Sequence, residues 1–175
     1  VVDVSLYETS IGYLAYHLVG FLADGKVPAG EGTRFPMIAP YEALPTRDGA
    51  LMVAGGNDRI FRALCAVVGS PELVDDPRFR TNPERVQNRD ALAELLAARL
   101  ATDDTAVWHE RLTAAGVPAA PVADVRDVAE SPQTAALAIL QPLEHPRIAG
   151  LTLPALPLSL DGERALHPSA PPDVG

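Results

Sequence analysis

The sequence predicts an α+β fold, and three observations carry that reading. Two apolar runs, Tyr41–Pro45 and Ala50–Ala54, flank Arg47, Asp48 and Gly49, and Asp-Gly between such runs is a strong hairpin signal. Helical spacing recurs on both sides of the hairpin. From Pro118 onward, ten of the 17 prolines crowd into the last 58 residues, where long helices must give way to short pieces.

The elements follow in order. From Asp3 to Asp24, apolar residues (among them Val4, Leu6, Ile11, Leu14, Phe21 and Leu22) populate almost every side of a helical wheel, with Gly25 as the stop. A helix apolar nearly all round is expected to be buried, and the rest of the chain offers little to cover it. Residues 25–40 hold three Gly and three Pro, too long a loop for a simple connector. After the hairpin, Asn57 can cap a helix whose stripe is Ile60, Phe61, Leu64, Cys65 and Val68, closed by Gly69. A turn-rich stretch leads into one helix over 84–101, carrying Val86, Leu92, Leu95, Leu96 and Leu100. Thr105 can cap the next, with Trp108, Leu112 and Ala115 on one face and Gly116 at its end. Short extended pieces are expected at 119–123, 139–144 and 151–153, with helical turns near Val125 and after Ser131. The tail His167–Gly175 reads as an extended strap that must lie on something else.

Composition excludes several functions. Fourteen basic against 23 acidic side chains give a net charge of −9, which argues against a nucleic-acid partner that needs a basic face. An anionic ligand would need a local Arg cluster. Cys65 is the sole cysteine, and no Cys/His grouping has zinc spacing, so a disulfide scaffold and a metal site are both unsupported and a reducing, cytoplasmic setting is expected. The longest apolar stretch, 11–23, is 13 residues interrupted by His17, short of the roughly 20 that a membrane helix requires. The opening VVDVSLYETS lies inside an apolar pattern without an initiating Met, so the chain is expected to begin part-way through a larger protein.

Six phrases stand in register along the chain: VDVSL at 2–6, EGTRFPMIAPY at 31–41, TRDGALMVAGGNDRIFRALC at 46–65, PELVDDPRFRTNPERVQNRDAL at 71–92, LTAAGVPAAPVADVRDVAESPQ at 112–133 and HPRIAG at 145–150. Together they resemble the C-terminal half of the family III CoA-transferases, the group of formyl-CoA transferase, carnitine CoA-transferase and bile-acid-inducible protein F. The resemblance implies a Rossmann-like large domain built from both chain ends and a small α+β domain inserted between them. On that pattern 1–29 and 126–175 belong to the large domain and its linkers, and 30–125 to the small one. It implies two interlocked chains, and so a homodimer, an N-terminal half, or both as partners. Its substrates would be an acyl-CoA and a carboxylic acid, with coenzyme A as a thioester substrate and no tightly bound cofactor. The family nucleophile is an Asp that forms a mixed anhydride and then a thioester. It precedes the VDVSL phrase, so it is expected upstream of Val1 and no residue here takes that role.

The same resemblance makes Gly30–Tyr41 the best local candidate, because the matching family loop folds over the catalytic Asp and excludes water. Gly30, Gly32, Arg34 and Pro36 are the substrate-loop candidates, although the multi-glycine run of formyl-CoA transferase is absent. A plain connector is the alternative. Arg34 can pair with a substrate carboxylate or a CoA phosphate, or else be solvated or internally paired. Gly55, Gly56 and Asn57 can offer N–H groups to a phosphate, but helix capping fits better. Cys65 reads as core. Asp75 with Asp76 and Asp103 with Asp104 read as turn and helix-start residues. His17, His109, His145 and His167 lack triad or metal spacing, and His17 reads as a hydrogen-bonded core residue. Three functions stay open: an acyl-CoA transferase, an isomerase similar to α-methylacyl-CoA racemase, and a non-catalytic dimerisation or binding module.

Overall fold

The computed structural model describes residues 3–171, so Val2 of the first phrase and the last four residues of the strap lie outside the described residues. The fold is α+β, as the sequence predicts. It divides into two compact units, one up to Pro121 and one from Val122.

In the first unit, helix α1 runs Leu6–Asp24. Ser5 caps it by accepting the Glu8 N–H, and Gly25 ends it at φ 73°, the left-handed conformation that glycine adopts without a Cβ penalty. The helix breaks at Ala15, whose φ is 42° and ψ −123°. No residue of α1 is buried. The expectation of a buried helix is met only in its composition: among the described residues none packs closely enough on α1 to bury any of its side chains. Strands β1 (Tyr41–Pro45) and β2 (Ala50–Ala54) form the hairpin where Asp-Gly placed it, pairing Tyr41 with Ala54 and Pro45 with Ala50. Strand β3 (Ala119–Pro121) adds to β2 antiparallel, giving the order β1-β2-β3.

Helix α2 (Asp58–Val67) begins where Asn57 Oδ1 accepts the Ile60 N–H, and it buries Phe61, Leu64 and Cys65 against Leu51 and Val53 of the hairpin. The helix expected over 84–101 is two helices, α3 (Asn82–Gln87) and α4 (Arg89–Leu100). The reason is Asn88, at φ −111° and ψ 27°, whose side-chain amide donates to the carbonyls of Glu84 and Arg78. Thr81 and Glu84 supply a capping box for α3. Helix α4 buries Leu92, Leu96 and Leu100, while Leu95 faces water.

The start of α5 (Thr105–Ala114) corrects another expectation. Asp104, not Thr105, is the capping position, and its side chain makes no capping bond. The Thr105 N–H instead goes to Asp48 Oδ1 of the hairpin turn at 2.8 Å, and its hydroxyl donates to the same oxygen at 2.7 Å. A long-range carboxylate thus does what a local side chain does in an ordinary cap. Trp108 and Leu112 of α5 complete the core, and Trp108 donates its indole N–H to the Leu100 carbonyl.

The second unit is short-elemented, as its prolines require. Helices α6 (Val125–Glu130) and α7 (Pro132–Ala136) are capped by Asp124 and Ser131, and the two-stranded pairs are β4 (Leu140–Pro142) with β5 (Thr152–Pro154) and β6 (Ser159–Leu160) with β7 (Glu163–Arg164). The described part of the strap is held by this unit itself, because the Gln141 side chain exchanges two hydrogen bonds with the His167 backbone. Among the described residues no helix is long and apolar enough to cross a membrane.

Candidate functional site

A cleft of about 350 Å³ opens in the first unit between α1 and the loop that follows it. Tyr16 and His17 line it from the helix, just past the break at Ala15, and Ala29–Gly32, Arg34 and Pro36 line it from the loop. All four substrate-loop candidates, Gly30, Gly32, Arg34 and Pro36, therefore come together at one cleft. Gly32 sits at φ 64°, in the left-handed region, and the turn it makes lets the Arg34 N–H reach the Glu31 carbonyl at 3.1 Å.

The loop is fastened to the sheet on its far side. The Phe35 N–H donates to the Tyr41 carbonyl, the Ala43 N–H donates to the Thr33 hydroxyl, and the Phe35 ring stacks on Tyr41 with centroids 5.4 Å apart. Tyr16 reaches the other way, its ring 5.3 Å from Phe35 and 4.2 Å from His17. An aromatic run, His17–Tyr16–Phe35–Tyr41, thereby joins the helix, the loop and the hairpin.

Electrostatically the cleft is balanced rather than cationic. Arg34 donates from Nε to Glu42 Oε2 at 2.9 Å and from Nη1 to Asp90 Oδ1 at 2.7 Å. The bond that Glu42 accepts, then the one that Asp90 accepts, raises the Arg34 guanidinium above its ordinary value. Of the two outcomes open to Arg34, internal pairing is the one seen, so an incoming carboxylate or phosphate must compete with two carboxylates already in place. Arg89 pairs with Glu31 at 3.5 Å.

Other candidates settle elsewhere. Gly55 and Gly56 serve packing: the Gly55 N–H donates to the Pro40 carbonyl, and a Cβ on Gly56 would overlap the Ile38 side chain. Cys65 is fully buried, and burial pushes its thiol up to about 12, so it is core and no nucleophile at neutral pH. Asp76 pairs with Arg78, Asp103 with Arg111 and Asp104 with Arg47, while His145 and His167 lie in the second unit. His17 corrects the expectation of a core histidine: it is half-buried at the cleft on a helix with no buried residue. Sequence reasoning missed Tyr16 as a cleft residue, and it missed Asn82, Arg85 and Arg89, whose side chains hold the loop backbone. The available signal was their spacing of three and four residues.

The matching family model is that of CoA-transferase family III, over residues 1–175, and the chain belongs to that family. Among named relatives it is 37% identical over 172 residues to acetyl-CoA:oxalate CoA-transferase of Acetobacter aceti, covering 97% of this chain and 43% of the relative. It is 30% identical to succinyl-CoA:glutarate CoA-transferase of Mus musculus, covering 99% and 40%. A crystal structure of a CaiB/BaiF family protein from Brucella suis superposes with a TM-score of 0.81 at 34% identity, over 98% of this chain and 44% of that one. The chain thus spans about two-fifths of the length of the curated relatives it matches.

Proposed function

We propose that this chain is the C-terminal part of an acyl-CoA:carboxylate CoA-transferase whose acceptor is a small dicarboxylic acid, with Gly30–Pro36 as the loop that closes over the reacting acyl group. The observation that carries the reading is the convergence of Gly30, Gly32, Arg34 and Pro36 on one cleft, in a chain whose relatives are named for oxalate and glutarate.

The chemistry supplies the reason for such a loop. An Asp carboxylate, on a segment before the VDVSL phrase, attacks the donor thioester carbonyl, and the C–S bond breaks to give a mixed anhydride and CoA thiolate. The thiolate attacks the aspartyl carbonyl, the donor leaves as its free carboxylate, and an aspartyl-CoA thioester remains. The acceptor carboxylate then attacks that thioester and expels CoA thiolate, leaving a second mixed anhydride. The thiolate attacks the acceptor's acyl carbon, which yields the new acyl-CoA and returns the Asp. The two anhydrides and the thioester all hydrolyse if water reaches them, so a close-fitting loop protects every turnover. Coenzyme A enters and leaves as a substrate.

The test is a transfer assay on the whole protein carrying this chain, with acetyl-CoA or succinyl-CoA as donor and a panel of mono- and dicarboxylates. Dicarboxylate-dependent formation of a new thioester supports the reading. Exchange of the α-proton without transfer to any acid would replace it with the isomerase. The isolated 175 residues should stay at background, and robust turnover from them would place the nucleophile inside this chain.

A further inference from the structure

Three polar side chains on α3 and α4 point at one target, the backbone of the loop before the hairpin. Asn82 Nδ2 donates to the Met37 carbonyl at 2.8 Å, and Asn82 Oδ1 accepts the Ala39 N–H at 3.1 Å. Arg85 Nε donates to the Ala39 carbonyl at 2.8 Å. Arg89 Nη2 donates to the Pro36 carbonyl at 2.7 Å and reaches that of Phe35 at 3.4 Å. From the neighbouring position, Asp90 takes Arg34.

Arg85 anchors this row. It is fully buried, and its other nitrogens reach Gly56 O at 2.8 Å, Asp58 Oδ1 at 3.0 Å and Phe79 O at 3.0 Å, while its guanidinium lies 4.5 Å from the Phe61 ring centroid. A guanidinium out of water is tolerable only when its donors are satisfied, and here backbone carbonyls from three separate segments and the Asp58 carboxylate satisfy them. Toward the loop at 35–39 the row therefore reads backbone position, while its only carboxylate partners are Asp58 for Arg85 and Glu31 for Arg89, among the described residues. Asn82 and Arg89 extend the hold from that anchor to the edge of the cleft, where Pro36 is a lining residue.

We propose that Asn82 and Arg89, backed by Arg85, are positioning residues that fix the backbone of residues 35–39 and thereby set the substrate loop. The catalytic consequence rests on reading Gly30–Pro36 as that loop. Neither residue is among those that line the cleft. Each acts through the carbonyls it holds.

The test compares Arg89→Gln, Arg89→Lys and Asn82→Ala with the unaltered whole protein, by hydrogen exchange over residues 31–40 and by transfer kinetics. In Arg89→Gln and Asn82→Ala, exchange at 31–40 should rise roughly tenfold while α2 and α5 keep their protection. Turnover in Arg89→Gln should fall roughly tenfold to a hundredfold, as a misplacement of about 1 Å produces. Arg89→Lys, which can still reach one carbonyl, should recover part of both. Unchanged exchange at 31–40 overturns the proposal, as does faster exchange that includes α2, which would mark a merely structural role. Faster loop exchange with unchanged turnover also overturns it, and Gly32→Val then tells which part failed. If Gly32→Val lowers turnover, only the positioning role falls; if it does not, the loop reading falls with it.

Discussion

Helices α1 and α2 are both built on apolar side chains, and they meet opposite fates. Helix α2 has 10 residues and buries Phe61, Leu64 and Cys65, whereas α1 has 19 and buries none. Leu6, Tyr13 and Leu22 of α1 are 88%, 84% and 73% exposed. The difference lies in pattern. Helix α2 confines its apolar residues to one stripe and opposes Arg59 and Arg62 to it, so the one core that Leu51, Val53, Leu73, Trp108 and Leu112 also build covers it. Helix α1 spreads them round the axis, and one neighbour cannot cover every side. An amphipathic stripe thus names a partner within the chain, and its absence names a helix that needs cover from another surface.

The largest effect expected from this contrast is on association. Each large apolar side chain taken fully out of water contributes roughly 1.5–3 kcal/mol, so covering several on α1 outweighs the loss from most single substitutions in the core. The purified chain should self-associate in sedimentation. Joint replacement of Leu6, Leu14 and Leu22 by Ser should shift it toward monomer. A stable monomer with α1 protected from exchange would break the comparison.

Next in size is truncation in the two helices. Leu64 is fully buried, so Leu64→Ala should destabilise the first unit by about 2–5 kcal/mol. Leu14 is 48% exposed, and Leu14→Ala should stay within about 0.5 kcal/mol in dilute, monomeric chain. Urea unfolding followed through Trp108 reads both, because that indole is buried in the same core. Equal losses would show that α1 is covered after all.

A smaller effect separates loop from core. A Cβ on Gly32 meets no atom within 4 Å, so the difficulty with Gly32→Val is its φ of 64° and not a clash. A β-branched residue held there costs about 1–2 kcal/mol, much of which a loop sheds by shifting. Stability should therefore change little. Turnover should fall at least roughly tenfold, because the shift displaces Arg34 and Pro36 from the cleft. Full activity in this variant would return the loop to a connector.

How much of this was legible in sequence follows the range of each interaction. The hairpin, the Asn57 cap, the α2 stripe and the stops at Gly25 and Gly116 are set within a few residues, and the structure places them where the residues pointed. Four features were not legible. Asn88 splits a helix by bonding Arg78, ten residues away, as well as Glu84. The helix breaks at Ala15, although Ala15 is itself neither Gly nor Pro and Gly12 near it stays helical. Asp48 caps a helix that starts 57 residues later. Asn82, Arg85 and Arg89 hold backbone carbonyls about 30 to 54 residues distant, and a carbonyl has no residue type for a pattern to show. Polar residues inside a helical run read as a solvated face, although here they are the link between helix and cleft.

The smallest predicted effect tests that long-range cap. Asp48 accepts the Thr105 N–H, its main stabilisation, together with the Thr105 hydroxyl, and these hold its carboxyl below the ordinary carboxylate range. A carboxylate depressed on folding contributes stability that is complete above its unfolded value, near 3.9, and is lost as pH falls through its lower folded value. The urea midpoint of the chain should consequently decline below about pH 4, in part through this group. Asp48→Asn keeps an acceptor for the Thr105 N–H but removes the charge at the positive end of α5. Its midpoint should lie slightly below that of the unaltered chain at pH 7, and the gap should narrow as pH falls below about 4, where Asp48 takes up its proton. A gap that stayed constant with pH would mean that the bond and not the charge holds hairpin to helix, and a gap that widened in acid would contradict the direction assigned to Asp48.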